Sequence, residues 1–525
     1  MNQNTKNNNI TYKLKSFLLI ILFVSLSINI GLSAQIRINI GSEPGTLDWN
    51  LATDSSSFQI INNIMSGLTK FNNKLELEPN LAESWEVNKK EKSIIIKLKD
   101  NIKWSDGENL TAKQFIDSWE RLLNPNTGAD YAYFLYDIKN AKEYNLGTIK
   151  DFSLVGAKAL DRKTIKIHLI ENKSYFMSLL SFMSTFPIRA EKIEKYQQEW
   201  VQPKNITTLG KYMLAEWASH DYILLNPKKK NQNSVLLLMN DNPSSSLAMF
   251  ENGNLDIVDG SGIPLLEIPY LISKNLLNFE TQFRNNYIGF NVHKYPFDNK
   301  KVREAFALSI DKSVFEKVLH NTVVKTESWI PPGLIGSIHN NSPRYNKKLA
   351  NKILDENGYK DRKKFPKIKF LFPESGNNRI IAELLQTMWM ENLGIKVEMQ
   401  GLEWKIYLIT LDIDRPHMFR AGWAADYPDP HNFMNIFTCN GGNNETGWCD
   451  NLYDEKINSA SYETSKLARE ILYIEAQERL LYNQNVIIPL FISNQIYLKS
   501  KKIKELNFSK MGIINFSEVK IQTKN

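Results

Sequence analysis

Between Lys367 and Gln400 the chain reads "KIKFLF", then "IIAELLQTMWMENLG", then "IKVEMQ". An apolar run, a stretch with apolar residues at helical spacing closed by glycine, and a second such run make a strand–helix–strand unit. Units of this kind favour α/β lobes with mixed sheets. Upstream, "NYIGFNV" (from Asn286) reads as a strand, and "DNKKVREAFALSI" as a helix capped at Asp298 or Asn299. "YNKKLANKILDENGY" reads as a helix closed by Gly358. Nearer the start, "IRINIG" (Ile36–Gly41), "SIIIKL" (Ser93–Leu98) and "TIKIHL" (Thr164–Leu169) read as strands. "YILLN" (Tyr222–Asn226) and "SVLLLMN" (Ser234–Asn240) read as a hairpin pair. A helix is expected over Leu110–Leu123, where Thr111 and Gln114 form a capping-box pattern and "NP" follows. At 525 residues the chain is too long for one core.

The first 16 residues are polar and basic without an acid, and "FLLIILFVSLSINIGLSA" runs from Phe17 to Ala34. Those are the basic, apolar and small-residue regions of a secretory signal peptide, with cleavage expected after Ser33 or Ala34. The alternative is an uncleaved anchor, since about 18 apolar residues reach the lower limit for spanning a bilayer. No cysteine lies near that junction to carry a lipid. The only two cysteines, Cys439 and Cys449, flank a Gly/Asn-rich loop. In an oxidising compartment they are expected to pair locally, with free thiols as the alternative. The net charge of +8 is dispersed, with no long basic run among aromatics, which argues against a nucleic-acid partner.

Enzyme signatures are missing. The chain has no G-x-S-x-G elbow, no phosphate loop ending in Gly-Lys-Ser/Thr, no H-E-x-x-H helix and no G-x-G-x-x-G turn. His417, Asp426, Asp429 and His431 form the one arrangement resembling a metallohydrolase set, but the residues between them fix no ligand geometry. Asp426 and Asp429 alone could be an acid/base pair, yet nothing positions a nucleophile.

Those residues sit in "FRAGWAADYPDPHNF", Phe419–Phe433. The stretch starts as a strand. Gly422 admits another backbone, Trp423 offers a flat wall, Arg420 can fork to a carboxylate and Asp426 presents an anion to a cation. An extended peptide carries both charges at its ends, and an exposed strand can accept it by β-augmentation. The competing reading pairs Arg420 and Asp426 with each other or with solvent and puts Trp423 in the core.

The stretches "EPGTLDWNLATDSSS", "LEPNLAESWEV", "IKWSDGENLTAKQFIDSWERLLNPNT", "FENGNLDIV", "PFDNKKVREAFALSIDK", "YNKKLANKILDENGY", "LLQTMWMENLGIKV" and "AGWAADYPDP" follow one another in an order with a clear precedent. Together they resemble the dipeptide/oligopeptide-binding family of extracytoplasmic solute receptors that serve ABC importers. The resemblance runs from about residue 36 over nearly the whole remaining chain and is nearest to oligopeptide binders. It implies a periplasmic-binding-protein-like α/β fold, in which two lobes with mixed sheets are joined by a hinge and an extra domain is inserted in the first. By that resemblance domain I comprises 35–66, 190–284 and 493–525, domain II 67–189, and domain III 285–492, with hinge crossovers near 284 and 492. The function implied is capture of short peptides for a membrane permease, by a periplasmic monomer that needs no cofactor and is not an enzyme.

The resemblance also implies the site. Asp426 binds the peptide amine, the backbone of Gly422, Trp423 and Ala424 pairs with the peptide, and Trp404 and Trp423 wall its pockets. Arg420 meets the carboxylate, Thr53, Asp54 and Ser55 supply main-chain bonds from the other lobe, and Tyr131 closes over the ligand. Two cations of the family pattern fall here on Leu411 and Asn378, and an acidic contact residue falls on Thr53. Those departures keep open a different solute on the same fold, such as a metal chelate, haem or an oligosaccharide.

Overall fold

A computed structural model describes residues 35–338, 344–374, 376–439 and 441–522. The expected signal segment, 1–34, lies outside the described residues. Among those residues no helix is long and apolar enough to cross a membrane.

Eleven strands form one large mixed sheet. In chain order they are β1 (Ile36–Asn39), β2 (Tyr212–Ala218), β3 (Tyr222–Pro227), β4 (Val235–Leu238), β5 (Ile257–Asp259), β6 (Leu277–Phe290), β7 (Val323–Lys325), β8 (Ile368–Pro373), β9 (Val397–Leu402), β10 (Met418–Ala424) and β11 (Ile487–Lys499). Across the sheet they run β9-β8-β10-β6-β11-β5-β1-β4-β3-β2, with β7 attached to β11. The strand–helix–strand unit folds as its pattern demands. The helix Asn378–Leu393 ends at Gly394, whose φ of 71° a glycine adopts freely. It returns the chain so that β9 lies parallel to β8, with Ile368 opposite Val397. Side chains alternate to two apolar faces. Phe370 and Phe372 join one core with Trp389, while Leu371 joins another with Tyr287 and Phe419. Burying both faces is what locks the register, because a slip of one residue would exchange every side chain between them.

The helix expected around Phe115 forms over Ala112–Leu123, and Gln114 Oε1 accepts the Thr111 amide at 3.0 Å. It packs on a separate antiparallel sheet of four strands, Ala82–Asn88, Ser93–Leu98, Thr164–His168 and Ala157–Ala159. The hairpin pair appears as β3 and β4, with Leu225 opposite Val235.

The strand expected from Asn286 is much longer. It starts at Leu277, because β11 pairs it from Leu277 to Thr281 and again from Asn285, and the polar residues Asn278, Glu280, Gln282 and Arg284 alternate along the added segment. Strands β6 and β11 traverse the sheet from one half to the other. Their mutual register shifts between Thr281 and Asn285, and again between Asn286 and Tyr287.

Candidate functional site

Strand β10 carries the site because its two edges are treated differently. Toward β6 it is paired along its whole length, from Met418 opposite Phe290 to Ala424 opposite Arg284. Toward β8 it is paired only at Met418 and Phe419. Just past the strand, the Ala425 amide donates to Phe283 O of β6 at 2.8 Å. Antiparallel pairing alternates, so Gly422 and Ala424 turn their amide and carbonyl groups the other way, to the open edge. Both residues are exposed, and no described strand pairs with them there. A side chain at 422 is disfavoured, because a Cβ would lie 3.1 Å from Asn285 O and 3.3 Å from Asn286 Oδ1.

The open edge has two ends. At one, Tyr407 Oη donates to Arg420 O at 2.7 Å, and Trp404 stacks on the Tyr407 ring at 5.7 Å with planes 16° apart. Both rings belong to the helix Trp404–Ile413, which leaves Trp404 half exposed beside the strand. At the other end stands Asp426. Its Oδ1 accepts from Tyr131 Oη at 3.3 Å and its Oδ2 from Asn432 Nδ2 at 3.1 Å. Asn432 Oδ1 in turn accepts from the Asp426 amide (3.2 Å) and Trp423 Nε1 (2.9 Å). One amide side chain therefore orients both the carboxylate and the half-buried indole.

No ion pair of the described residues includes Asp426, and burial pushes its carboxyl up to about 6 despite the two hydrogen bonds. A half-buried, desolvated carboxylate without a cation is an unfavourable state that a bound cation would relieve. The wall opposite is aromatic. Tyr131 packs against Phe182 (4.8 Å), Phe134 (5.2 Å), Tyr133 (6.1 Å) and Phe58 (6.3 Å). Such faces suit an ammonium group.

Arg420 does not pair with Asp426. Its Nη2 donates to Asn286 Oδ1 at 2.9 Å, its Nε has no partner, and burial lowers it to about 10. The competing reading of an internal Arg420–Asp426 pair therefore fails. In the segment Thr53–Ser55, Asp54 is committed as a helix cap. Its carboxylate accepts from the Ser57 amide (2.8 Å) and the Gly45 amide (3.2 Å), and its carbonyl from the Phe58 amide. Thr53 and Ser55 are exposed beside it, so main chain rather than a carboxylate is on offer there. Leu411, at a position expected of a cation, is core.

The metallohydrolase set does not assemble. Asp429 is bound to Arg469 through both oxygens, His431 stacks on Tyr175 at 3.9 Å, and His417 Nδ1 accepts from the Lys369 amide. Among the described residues no cluster of three His, Cys, Asp or Glu is arranged to hold a metal ion. Cys439 and Cys449 are joined by a disulfide, with Cα atoms 4.3 Å apart. The segment Asp429–His431 is more than a turn ending the strand. With Tyr175, and with the Ser174 amide on Ser461 O (2.8 Å), it ties the segment around residues 174–175 to the later part of the chain. A cavity of about 890 Å³ lies beside this junction, lined by Trp85, Lys173, Leu334 and Arg469. None of Gly422, Ala424 and Asp426 lines it, so it is a neighbour of the open edge.

The family model of bacterial extracellular solute-binding proteins, family 5, matches residues 76–445. The chain belongs to this family. Within family 5 it is 28% identical to the dipeptide-binding protein DppE of Bacillus subtilis, over 91% of this chain and 90% of that one. It is 29% identical to the oligopeptide-binding protein OppA of the same organism, over 92% and 91%. Its fold matches a periplasmic oligopeptide-binding protein of Borrelia burgdorferi with a TM-score of 0.80 at 28% identity, covering 93% of this chain and all of that one. The family 5 α/β fold is thus the fold of this protein. Pattern reading passed over Asn432, Tyr407 and Tyr133, each of which shapes the site. Asn432 and Tyr133 act on partners within nine residues, Asp426, Trp423 and Tyr131, but an amide and a tyrosine beside them carry no distinctive sequence signal.

Proposed function

We propose that this protein is the solute-binding component of an ABC importer. It takes short peptides in extended form along the open edge of β10 and hands them, unaltered, to a membrane permease. The observation that carries this is Asp426, an enclosed carboxylate without a cation at the end of an unpaired strand edge. A peptide running antiparallel to β10 would pair its backbone with Gly422 and Ala424 and bring its amine to Asp426. Main-chain pairing ignores sequence, while the amine sets the register. The proposal includes Trp404 and Trp423 as pocket walls, Tyr131 as the closing residue, the main chain of Thr53–Ser55 as the facing strand and Arg420 near the carboxylate. It extends to a periplasmic monomer with the three-domain division given above, hinged where β6 and β11 lose their common register.

Calorimetry with trialanine and N-acetyl-trialanine tests this. The free amine should bind with a micromolar or better constant, roughly −8 kcal/mol, and the acetylated peptide at least about 100-fold more weakly, since it leaves Asp426 buried and unpaired. Equal binding of the two would refute the amine role. The complex needs the carboxylate ionised and the amine protonated. Affinity should therefore peak between pH 6 and about 8, where the free α-amine titrates. Below pH 6 it should fall about tenfold per unit as Asp426 takes up a proton. A flat profile from pH 4.5 to 7 would contradict the assignment.

A further inference from the structure

The sheet register puts a second arginine beside the open edge. Arg284 of β6 lies opposite Ala424, Asn286 opposite Gly422, and Ile288 opposite Arg420. Residues opposite one another share a face, so Arg284 and Arg420 point to the same side as the positions 422 and 424 between them. Those positions hold a hydrogen and a methyl group. Nothing larger on β10 therefore stands between Arg284 and the open edge. Neighbouring strands are about 4.8 Å apart, so a peptide on that edge would run about 10 Å from β6. An arginine and a glutamate side chain together span that gap across Ala424.

The Arg284 side chain takes part in no hydrogen bond or ion pair of the described residues; the residue is exposed, yet partial desolvation by its neighbours lowers it from the usual guanidinium range. The polar neighbour on its face, Asn286, is an amide whose Oδ1 already serves Arg420. Guanidinium groups stay charged in proteins. If Asp426 is satisfied by the peptide amine, the site keeps two arginines against the single terminal carboxylate of a neutral peptide. The charges balance when the ligand brings one more carboxylate.

We propose that Arg284 is a specificity-determining residue, and that the preferred ligands are peptides bearing an aspartate or glutamate side chain on the face of the bound strand that passes over Ala424. This rests on the peptide reading above and sharpens it. Side chains of a strand alternate between faces, so acidic residues should be favoured at alternate positions only.

The test is calorimetry with tetra-alanine and with its variants carrying glutamate or glutamine at each position in turn. The wild-type protein should bind a glutamate peptide about tenfold more tightly than its glutamine counterpart at one position, or at two positions two apart, and not at the intervening ones. In Arg284→Gln that ratio should fall to about one, while Arg284→Lys keeps part of it. Thermal unfolding of each variant confirms that it is folded. Equal affinity for glutamate and glutamine at every position, an equal gain at all positions, or a ratio that survives in Arg284→Gln would overturn the proposal. If tetra-alanine binds but the ratio is one, only the role of Arg284 falls. If no peptide of the series binds, the peptide reading falls with it.

Discussion

Asp426→Asn is expected to weaken binding of a free-amine tripeptide by about 100-fold or more and, in the unliganded protein, to raise the unfolding temperature at pH 7. Both effects come from one charge. An asparagine keeps the shape of the side chain but cannot balance an ammonium group, so the amine would be desolvated without compensation. In the empty site the carboxylate is the liability. Its folded value of about 6 lies above the ordinary carboxylate range. The protonated form is therefore the one the fold prefers. Its stabilising contribution is complete below about pH 4 and is lost as the pH rises through about 6. At pH 7 the neutral asparagine avoids a burden on the order of 1–3 kcal/mol, enough to move the unfolding temperature by a few degrees. The gain should vanish at pH 4, where wild type is itself neutral at this position. Scanning calorimetry at both pH values and titration with trialanine read the two effects. A lower unfolding temperature for the variant at pH 7, or unchanged affinity, would contradict this account.

Asp429→Ala should be strongly damaging, destabilising the fold by about 3–5 kcal/mol. Arg469 donates to Asp429 from Nη1 at 2.9 Å and Nη2 at 2.7 Å, and both side chains are 11% exposed. Asp429 Oδ1 also accepts from the His431 amide at 2.8 Å, fixing the turn that presents Asn432. Truncation leaves a shielded guanidinium whose remaining acceptors are Tyr473 Oη and Ala460 O. It also loosens the residue that orients Asp426 and Trp423, so peptide affinity should drop along with stability. Chemical denaturation should show the double variant Asp429→Ala with Arg469→Ala to be less destabilised than the sum of the two single variants, because removing both partners removes the orphaned charge. Strict additivity would mean that the pair is worth little.

The sequence disclosed elements whose signals are local. The strand–helix–strand unit, the Thr111–Gln114 cap and the closing Gly394 all depend on residues within a few positions of one another. The site was legible in part. Gly422, Trp423 and Asp426 stand out as a small residue, a wall and an anion on one short strand. That the edge of β10 is open to a peptide was expected from the resemblance, but its cause was not legible, because it depends on β8 parting from β10 after Leu371, a tertiary event. The same holds for Arg420, whose partner Asn286 is 134 residues away in the chain. Asp429 and His431 looked reactive for the reason that they are structural. Polar residues placed where burial is high must be satisfied, and a close-set Asp/His pair can answer that need without any chemistry. Arg284 lies within an alternation of polar residues that a solvated strand also shows, and only its register opposite Ala424 sets it apart.

An unpaired strand edge is also a hazard. Exposed to solvent, it is a template on which other chains, including copies of the same protein, can add strands and aggregate. Here the edge is short and bounded, with the Trp404–Tyr407 stack at one end and Asp426 and Tyr131 at the other. A single extended chain can slide into that slot, whereas a folded protein bringing a whole sheet is too broad. The walls thus act as a sieve. On the peptide-binding reading, they would let the protein offer a strand edge to a single extended chain while hindering edge-to-edge pairing of whole sheets.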